Sequence, residues 1–141
     1  MGRLTNIFIL DACALIALLG NEPGADKINN FMRRADDKDI LLKINQINLL
    51  ETYYDLVKVY DQNKANKILK KLKEYPMEII IGLTEETFKE AGRLKIQYKI
   101  PFGDSIAAAE CIVGRATLIT SDRTDFEKLE KHEKIKIEWF R

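Results

Sequence analysis

The sequence predicts an α/β fold in which a mostly parallel, five-stranded sheet lies between two layers of helices, a three-layer α/β/α sandwich. Five short runs of apolar and β-branched residues have the length of strands, and segments with helical apolar spacing separate them. Strands that alternate with helices form parallel sheets, which are covered on both faces. A length of 141 residues suits a single domain over residues 1–141 with a full apolar core.

The first strand and the two helices after it follow from apolar spacing. Residues 7–10 have strand length, and residues 12–19 form a short helix that ends at Gly20. Pro23 opens a second helix. Its inward face is predicted to consist of Ile28, Phe31 and Met32.

The middle of the chain predicts a second strand over residues 40–44, followed by a helix with Asn45 as its N-cap. The predicted buried stripe of this helix consists of Ile47, Leu50, Tyr54 and Val57. A lysine-rich helix over residues 63–74 comes next.

The remaining elements complete the alternation. A third strand covers residues 78–83, and the helix that begins at Thr84 turns three apolar side chains inward: Ala91, Leu94 and Tyr98. The stretch "IPFGDSIAAAECIVG" then predicts a loop and a helix of small residues. Residues 117–120 and 135–139 supply the last two strands, with a short helix between them that begins near Asp125.

The composition narrows the possible partners and compartments. Lys and Arg total 23 against 22 Asp and Glu, so no strong overall field favours a nucleic acid or a membrane. The two cysteines lie in apolar helical sequence and indicate buried thiols, with no disulfide framework. The longest apolar run falls well short of the ~20 residues that a membrane-spanning helix needs. We therefore expect a cytoplasmic protein without a membrane partner.

One charge interrupts the apolar stretch "IFILDACALIALL", and it belongs to Asp11. Asp11 follows the first predicted strand and begins a helix. Parallel sheets bind ligands outside the carboxyl ends of their strands. The position therefore predicts a side chain at the ligand-binding edge of the sheet.

Four other acids occupy comparable places: Glu51, Asp104, Asp122 and Asp125. Taken singly, each has a structural explanation. Asp11, Asp104 and Asp125 are suitable N-caps, Asp122 suits a turn, and Glu51 suits a solvated helix flank. Taken together, they are expected to converge on one edge of the sheet.

Crowded carboxylates repel each other by about 4 kcal/mol per pair at 4 Å, so a cation is expected among them. Oxygen ligands favour Mg²⁺ or Mn²⁺ over zinc, and the sequence has no HExxH or CxxC motif and a single histidine, His132. A divalent cation lowers the pKa of a bound water toward ~7 and screens a phosphate, which suits phosphodiester hydrolysis. No phosphate-binding glycine loop is present.

These residues resemble the PIN-domain nucleases, and among them the VapC-type toxins of toxin–antitoxin pairs. The points of resemblance are "FILDACALIALL", "INLLETYYDL", "FGDSIAAAEC" and "LITSDRTDFEKL". The resemblance implies a PIN-like sandwich and an Mg²⁺- or Mn²⁺-dependent endoribonuclease. It also implies an RNA substrate, a homodimer and a cognate antitoxin.

The resemblance assigns a role to each acid. Asp11, Glu51, Asp104 and Asp122 would hold the metal or metals, and Asp125 would be an outer or second-metal ligand. Thr120 would orient a water or a carboxylate. The sequence departs from the family in having Ala12 and Cys13 where a Ser or Thr is common, and the hydroxyls that could substitute are those of Ser105, Thr120 and Ser121.

Two other functions remain open from the sequence. One is a non-catalytic PIN-like module that binds RNA or protein, in which the acids are only caps. The other is a metal-dependent nuclease that acts on DNA flaps, against which the short chain argues.

The lysine row of Lys64, Lys67 and Lys71, with Lys70 adjacent, either contacts RNA phosphates or is simply solvated. The aromatic residues Tyr53, Tyr54, Tyr60 and Phe102 could stack on bases or pack at a dimer interface, but packing in the core is the favoured interpretation, with Phe102 as the expected exception.

Overall fold

The computed structural model describes residues 6–141, so residues 1–5 of the predicted domain lie outside the described part. The strands are β1 (Asn6–Leu10), β2 (Ile40–Asn45), β3 (Glu78–Ile80), β4 (Thr117–Thr120) and β5 (Lys136–Trp139). The helices are α1 (Ala12–Leu19), α2 (Ala25–Asp36), α3 (Gln46–Val59), α4 (Gln62–Leu72), α5 (Glu85–Tyr98), α6 (Phe102–Gly114) and α7 (Arg123–His132). No helix within this part is long and apolar enough to cross a membrane.

The five strands form one sheet in the order β3-β2-β1-β4-β5, and every pair in it is parallel. The chain builds outward from β1 to β3 and then returns to place β4 on the other side of β1. The strand order therefore reverses between β1 and β4, where Leu10 is paired with Ile119. Open parallel sheets bind ligands at such a point.

Side chains of β1 alternate between two cores, one on each face of the sheet. Ile7 and Ile9 contact the core formed with α5, α6 and α7. Phe8 and Leu10 contact the core formed with α1, α2 and α4. Helices therefore cover both faces, which confirms the predicted α/β/α sandwich.

The predicted buried stripe of α3 is wrong for two of its four residues, while Ile47 and Val57 are half-buried. Leu50 and Tyr54 are 55% and 49% exposed, and the buried residues are instead Asn48, Leu49, Thr52 and Leu56. The helix is turned so that Asn48 faces α6, where its amide donates to the carbonyl oxygen of Gly103. A polar side chain is stable inside when it finds such a partner.

Several element boundaries also differ from the prediction. The second helix begins at Ala25 because Gly24, its N-cap, has a φ of 92°, and a Cβ there would lie 2.4 Å from the carbonyl oxygen of Phe140. The third strand is shorter than predicted and ends at Ile80. The fourth helix begins at Gln62, one residue earlier than predicted.

Candidate metal centre

An acidic cavity of about 220 Å³ opens at the carboxyl edge of the sheet, where the strand order reverses. We call it the acidic cavity. Five carboxyl groups line it: Asp11, Glu51, Asp55, Asp104 and Asp122. Four separate regions of the chain deliver them, since β1 and β4 end there and α3 and α6 pass over the same edge. The predicted convergence of acids on this edge is therefore present.

Asp11 is 4% exposed and is fixed by two hydrogen bonds. Its Oδ1 accepts from the backbone N–H of Cys13 at 2.7 Å, which makes Asp11 the N-cap of α1. Its Oδ2 accepts from the hydroxyl of Thr120 at 2.9 Å. Burial raises the pKa of Asp11 above its usual value, although both hydrogen bonds oppose the shift.

Thr120 is fully buried at the end of β4 and joins Asp11 to Asp122. Its hydroxyl donates to Asp11 and accepts from the backbone N–H of Asp122 at 3.1 Å. The Cys13 sulfur lies 3.4 Å from the same hydroxyl. Because the hydroxyl has one proton, which Asp11 receives, the Cys13 thiol must be the donor. Of the three candidate hydroxyls, Thr120 is the one that contacts Asp11.

The other two hydroxyls have different partners. Ser121 donates to the sulfur of Cys13 at 3.7 Å, so it supports the thiol and does not reach the carboxylate itself. Ser105 donates to the carbonyl oxygen of Phe102 and stays within the first turn of α6. Burial, followed by the charge of Asp11, raises the pKa of Cys13 to about 12, so it remains a neutral thiol.

Glu51 is held against α6 by Asn48, one helical turn before it. The amide nitrogen of Asn48 donates to Glu51 Oε1 at 3.0 Å and to the carbonyl oxygen of Gly103 at 3.0 Å. The carboxylate lies so close to Gly103 that a Cβ there would be 2.1 Å from Oε1. Burial raises the pKa of Glu51, and the charges of Asp11 and Asp55 add to that effect. A glycine at 103 is therefore what allows Glu51 to reach the acidic cavity.

Asp104, Asp122 and Asp125 form the tightest cluster of the site. One carboxylate oxygen from each lies within 4.8 Å of the others. Oδ2 of Asp104 is buried and has no hydrogen-bond partner. Burial, with the charge of Asp11 and the proximity of Asp125 and Asp122 adding to it, raises the pKa of Asp104 to about 9. The pKa of Asp122 is also raised, first by burial and then by Asp125.

The chemistry of this site fits a hard divalent cation. The lining of the acidic cavity contains no Lys, Arg or His among residues 6–141 to neutralise its carboxyl groups. A buried oxygen without a partner costs free energy that a bound cation would recover. Carboxylate oxygens are the ligands that Mg²⁺ and Mn²⁺ prefer, and no neutral imidazole or thiolate is offered.

The N-cap explanation holds for Asp11 but is wrong for two other acids. Asp104 is the third residue of α6, whose N-cap position is Pro101. Asp125 lies in the first turn of α7, and its backbone N–H donates to the side chain of Asp122. Asp122 is therefore the N-cap of this helix and not only a turn residue. Glu51 is half-buried in the acidic cavity, so it is no solvated flank.

Three residues that contribute to this site are not predicted from the sequence. Asp55 lies one turn after Glu51 on α3, and that spacing of four residues would have placed it on the same face. Asn48 precedes Glu51 by three residues, and the same rule would have found it. The role of Gly103 had no signal in the sequence, because it depends on how closely α3 approaches α6.

The fold and the site together define an α/β/α protein with a metal-competent acidic cavity at the point where strand order reverses. The model of the PIN domain family matches residues 8–132, so this chain belongs to the PIN domain family. The family predicted from the sequence is thereby confirmed. No curated protein sequence matches the chain.

Solved structures of toxin–antitoxin complexes share this fold. VapBC2 from Rickettsia felis bound to a DNA fragment from its promoter is 22% identical, with a TM-score of 0.74 over 94% of this chain and 97% of that chain. DNA-bound VapBC from Salmonella typhimurium is 14% identical, with a TM-score of 0.73 over 98% and 100%. VapBC-1 from nontypeable Haemophilus influenzae is 18% identical, with a TM-score of 0.67 over 95% and 98%.

Proposed function

We propose that this PIN domain protein is a VapC-type toxin, a metal-dependent endoribonuclease that hydrolyses RNA phosphodiester bonds at the acidic cavity. The observation that carries the proposal is the buried, unpartnered Oδ2 of Asp104 within a cluster of carboxylates that no basic side chain in the acidic cavity neutralises. The single-domain organisation over residues 1–141 remains a prediction.

The proposed ligands are Asp11, Glu51, Asp104 and Asp122, with Asp125 as an outer or second-metal ligand. A bound Mg²⁺ or Mn²⁺ supplies an activated water and screens the charge of the phosphate. The protein's own residues fix the ligands in place beforehand. Thr120 orients Asp11 by donating to its Oδ2, and it accepts the N–H at the start of the Asp122 turn. This preorganisation lowers the cost of collecting charge at the site.

The proposed partners are RNA, a cognate antitoxin and a second copy of the chain, in the cytoplasm. The antitoxin is supported by the fold shared with toxins solved in VapBC complexes. The homodimer is supported by α5, where Phe88 and Ile96 are 63% and 81% exposed on one helical face. Gly92 lies between them on that face and leaves open space around it. Exposed apolar side chains aligned in this way are typical of a protein interface.

Cleavage of a panel of structured RNAs, including transfer RNA, tests the proposed activity. The purified protein is incubated with Mn²⁺, Mg²⁺ or EDTA, beside the variants Asp104→Asn and Asp36→Asn. Asp36 is an exposed acid at the end of α2, near the amino edge of the sheet, and is the matched control. We expect cleavage with either metal, none with EDTA, none by Asp104→Asn, and full activity for Asp36→Asn.

Thermal unfolding distinguishes a protein that binds metal but whose RNA substrate is absent from the panel from a protein that has no metal site. A cation that binds only the folded protein stabilises it by about 2.7 kcal/mol at a hundred times its Kd. We expect Mn²⁺ to raise the Tm of the wild type and of Asp36→Asn but not of Asp104→Asn. Wild-type protein without a metal-dependent rise in Tm and without cleavage would refute the proposal in favour of a non-catalytic PIN-like module.

A further inference from the structure

The acidic cavity continues into a groove between α1, α3 and α4, which we call the α3–α4 groove. The groove has a volume of about 370 Å³ and shares Ile16 and Asp55 with the acidic cavity. Its apolar lining includes Leu19, Leu56, Val59 and Ile68. A molecule that leaves the acidic cavity on this side therefore enters an apolar channel.

A third cavity, of about 430 Å³, extends the α3–α4 groove along α4, and we call it the lysine cavity. It shares Ile68 and Lys71 with the groove. Its cationic lining is the predicted row of Lys64, Lys67 and Lys71, all of which are exposed. None of the three forms an ion pair with a residue in the described part of the chain. The single acid of the lysine cavity, Asp61, is the N-cap of α4 and accepts the backbone N–H of Lys64.

Two exposed tyrosines mark the route between the acidic cavity and the lysines. Tyr54, 49% exposed, lines the acidic cavity, and Tyr60, 50% exposed, lines the α3–α4 groove. The interpretation of these rings as core residues is therefore wrong. Tyr60, the C-cap of α3, follows Tyr54 by six positions, about 9 Å along the helix axis. The ammonium group of Lys64 lies 4.8 Å from the centre of the Tyr60 ring, so an aromatic face and a cation occur together.

The acids of the α3–α4 groove do not oppose an anionic occupant along its α4 side. Glu22 is neutralised by Arg141, whose Nη1 lies 3.0 Å from its carboxylate. Asp55 lies at the boundary with the acidic cavity, where the proposed cation would offset its charge. The positive charge of the route is thus concentrated on α4.

We infer that a single-stranded segment of the substrate RNA runs from the acidic cavity through the α3–α4 groove to the lysine cavity. Bases stack on Tyr54 and Tyr60, and phosphates contact Lys64, Lys67 and Lys71. Aromatic rings interleaved with unpaired cations are the usual means of binding single strands. This inference rests on the proposed function, because it takes RNA as the substrate of the acidic cavity.

An energetic argument favours this route. The protein has a net charge of only +1, and the acidic cavity repels every phosphate that the bound cation does not neutralise. Binding free energy must therefore come from a surface beside the acidic cavity. The lysine cavity meets that need, because the α3–α4 groove joins it to the acidic cavity as one continuous surface.

RNA binding by two matched double variants tests the route. A labelled, unstructured oligoribonucleotide with non-hydrolysable linkages is titrated by fluorescence anisotropy with Mn²⁺ at several salt concentrations, in the otherwise wild-type chain, which keeps the proposed cation site. The test variant is Lys67→Gln/Lys71→Gln. The control is Lys70→Gln/Lys73→Gln, which removes the same charge from the same part of the chain at exposed positions outside all three cavities.

We expect the test variant to bind RNA about tenfold more weakly than its parent and the control to change little. The slope of log K against log salt should fall by about 0.7 for each lost phosphate contact in the test variant. Tyr60→Leu keeps the groove apolar but removes the stacking ring, and we expect a loss of about tenfold.

Equal RNA binding by the two double variants, with wild-type binding by Tyr60→Leu, would overturn the inference and leave the α3–α4 groove to a protein partner. This failure is distinguishable from failure of the proposed function. The first leaves metal-dependent cleavage by the wild type intact, whereas the second abolishes it.

Discussion

Binding of a divalent cation should release a proton from Asp104. Two unit charges 4.8 Å apart repel by about 3.5 kcal/mol at an effective dielectric constant of 20. Burial, together with such repulsion from Asp11, Asp125 and Asp122, raises the pKa of Asp104 to about 9, so its carboxyl group is protonated at pH 7 without metal. A cation needs the ionised form. For each proton released, the apparent Kd therefore falls about tenfold per pH unit, or about a hundredfold from pH 6 to pH 8.

Calorimetric titration of Mn²⁺ at pH 6, 7 and 8, in buffers of different ionisation enthalpy, measures both the Kd and the number of protons released. We expect about one proton or more at pH 7 from the wild type and from the control Asp36→Asn. Asp104→Asn, which is not expected to bind Mn²⁺, should give neither binding heat nor proton release. A Kd that stays constant across this range, with no proton released, would refute the assignment of a protonated, buried Asp104.

Three further predictions follow from the same geometry. Gly103→Ala should displace Glu51 and abolish the Mn²⁺-induced rise in Tm, and it should lower the free energy of unfolding in denaturant by about 1–3 kcal/mol. The control Gly114→Ala lies in open space on the same helix and should not destabilise the protein. The free energy of unfolding of the metal-free protein should fall as pH rises from the ordinary aspartate pKa toward 9. In this range Asp104 is ionised in the unfolded chain but protonated in the folded one, so each rise in pH favours unfolding. A flat profile of unfolding free energy against pH would contradict this. Ile96→Glu should convert the proposed homodimer to monomers in light scattering, and a dimer that survives this change would remove α5 from the interface.

The sequence was sufficient for the sheet because strand and helix patterns are local. Apolar runs of strand length predicted all five strands, and the ligand edge of a parallel sheet predicted where Asp11 and Asp122 lie. The rotation of α3 could not be predicted in this way. Its apolar stripe favoured burying Leu50 and Tyr54, but Gly103 lets α6 approach so closely that Asn48 is buried instead.

The state of Asp104 also lay beyond the sequence. An acid in the first turn of a helix is stabilised by the helix dipole, and the pattern alone indicated a cap. In the folded protein Asp104 is instead buried, and Asp122 and Asp125, which follow strand β4, lie beside it. Its raised pKa is therefore a property of the assembled site.

The strand order also governs when the acidic cluster can assemble during synthesis. Asp11 emerges from the ribosome early, but Asp122 and Asp125 emerge only after more than 80% of the 141 residues, and β4 must then dock beside β1. Every shorter nascent chain lacks part of the cluster. If the chain is a toxic ribonuclease as proposed, its own ribosome and messenger are protected until β4 and the acids after it have emerged, which leaves time for an antitoxin already present to meet the assembled site.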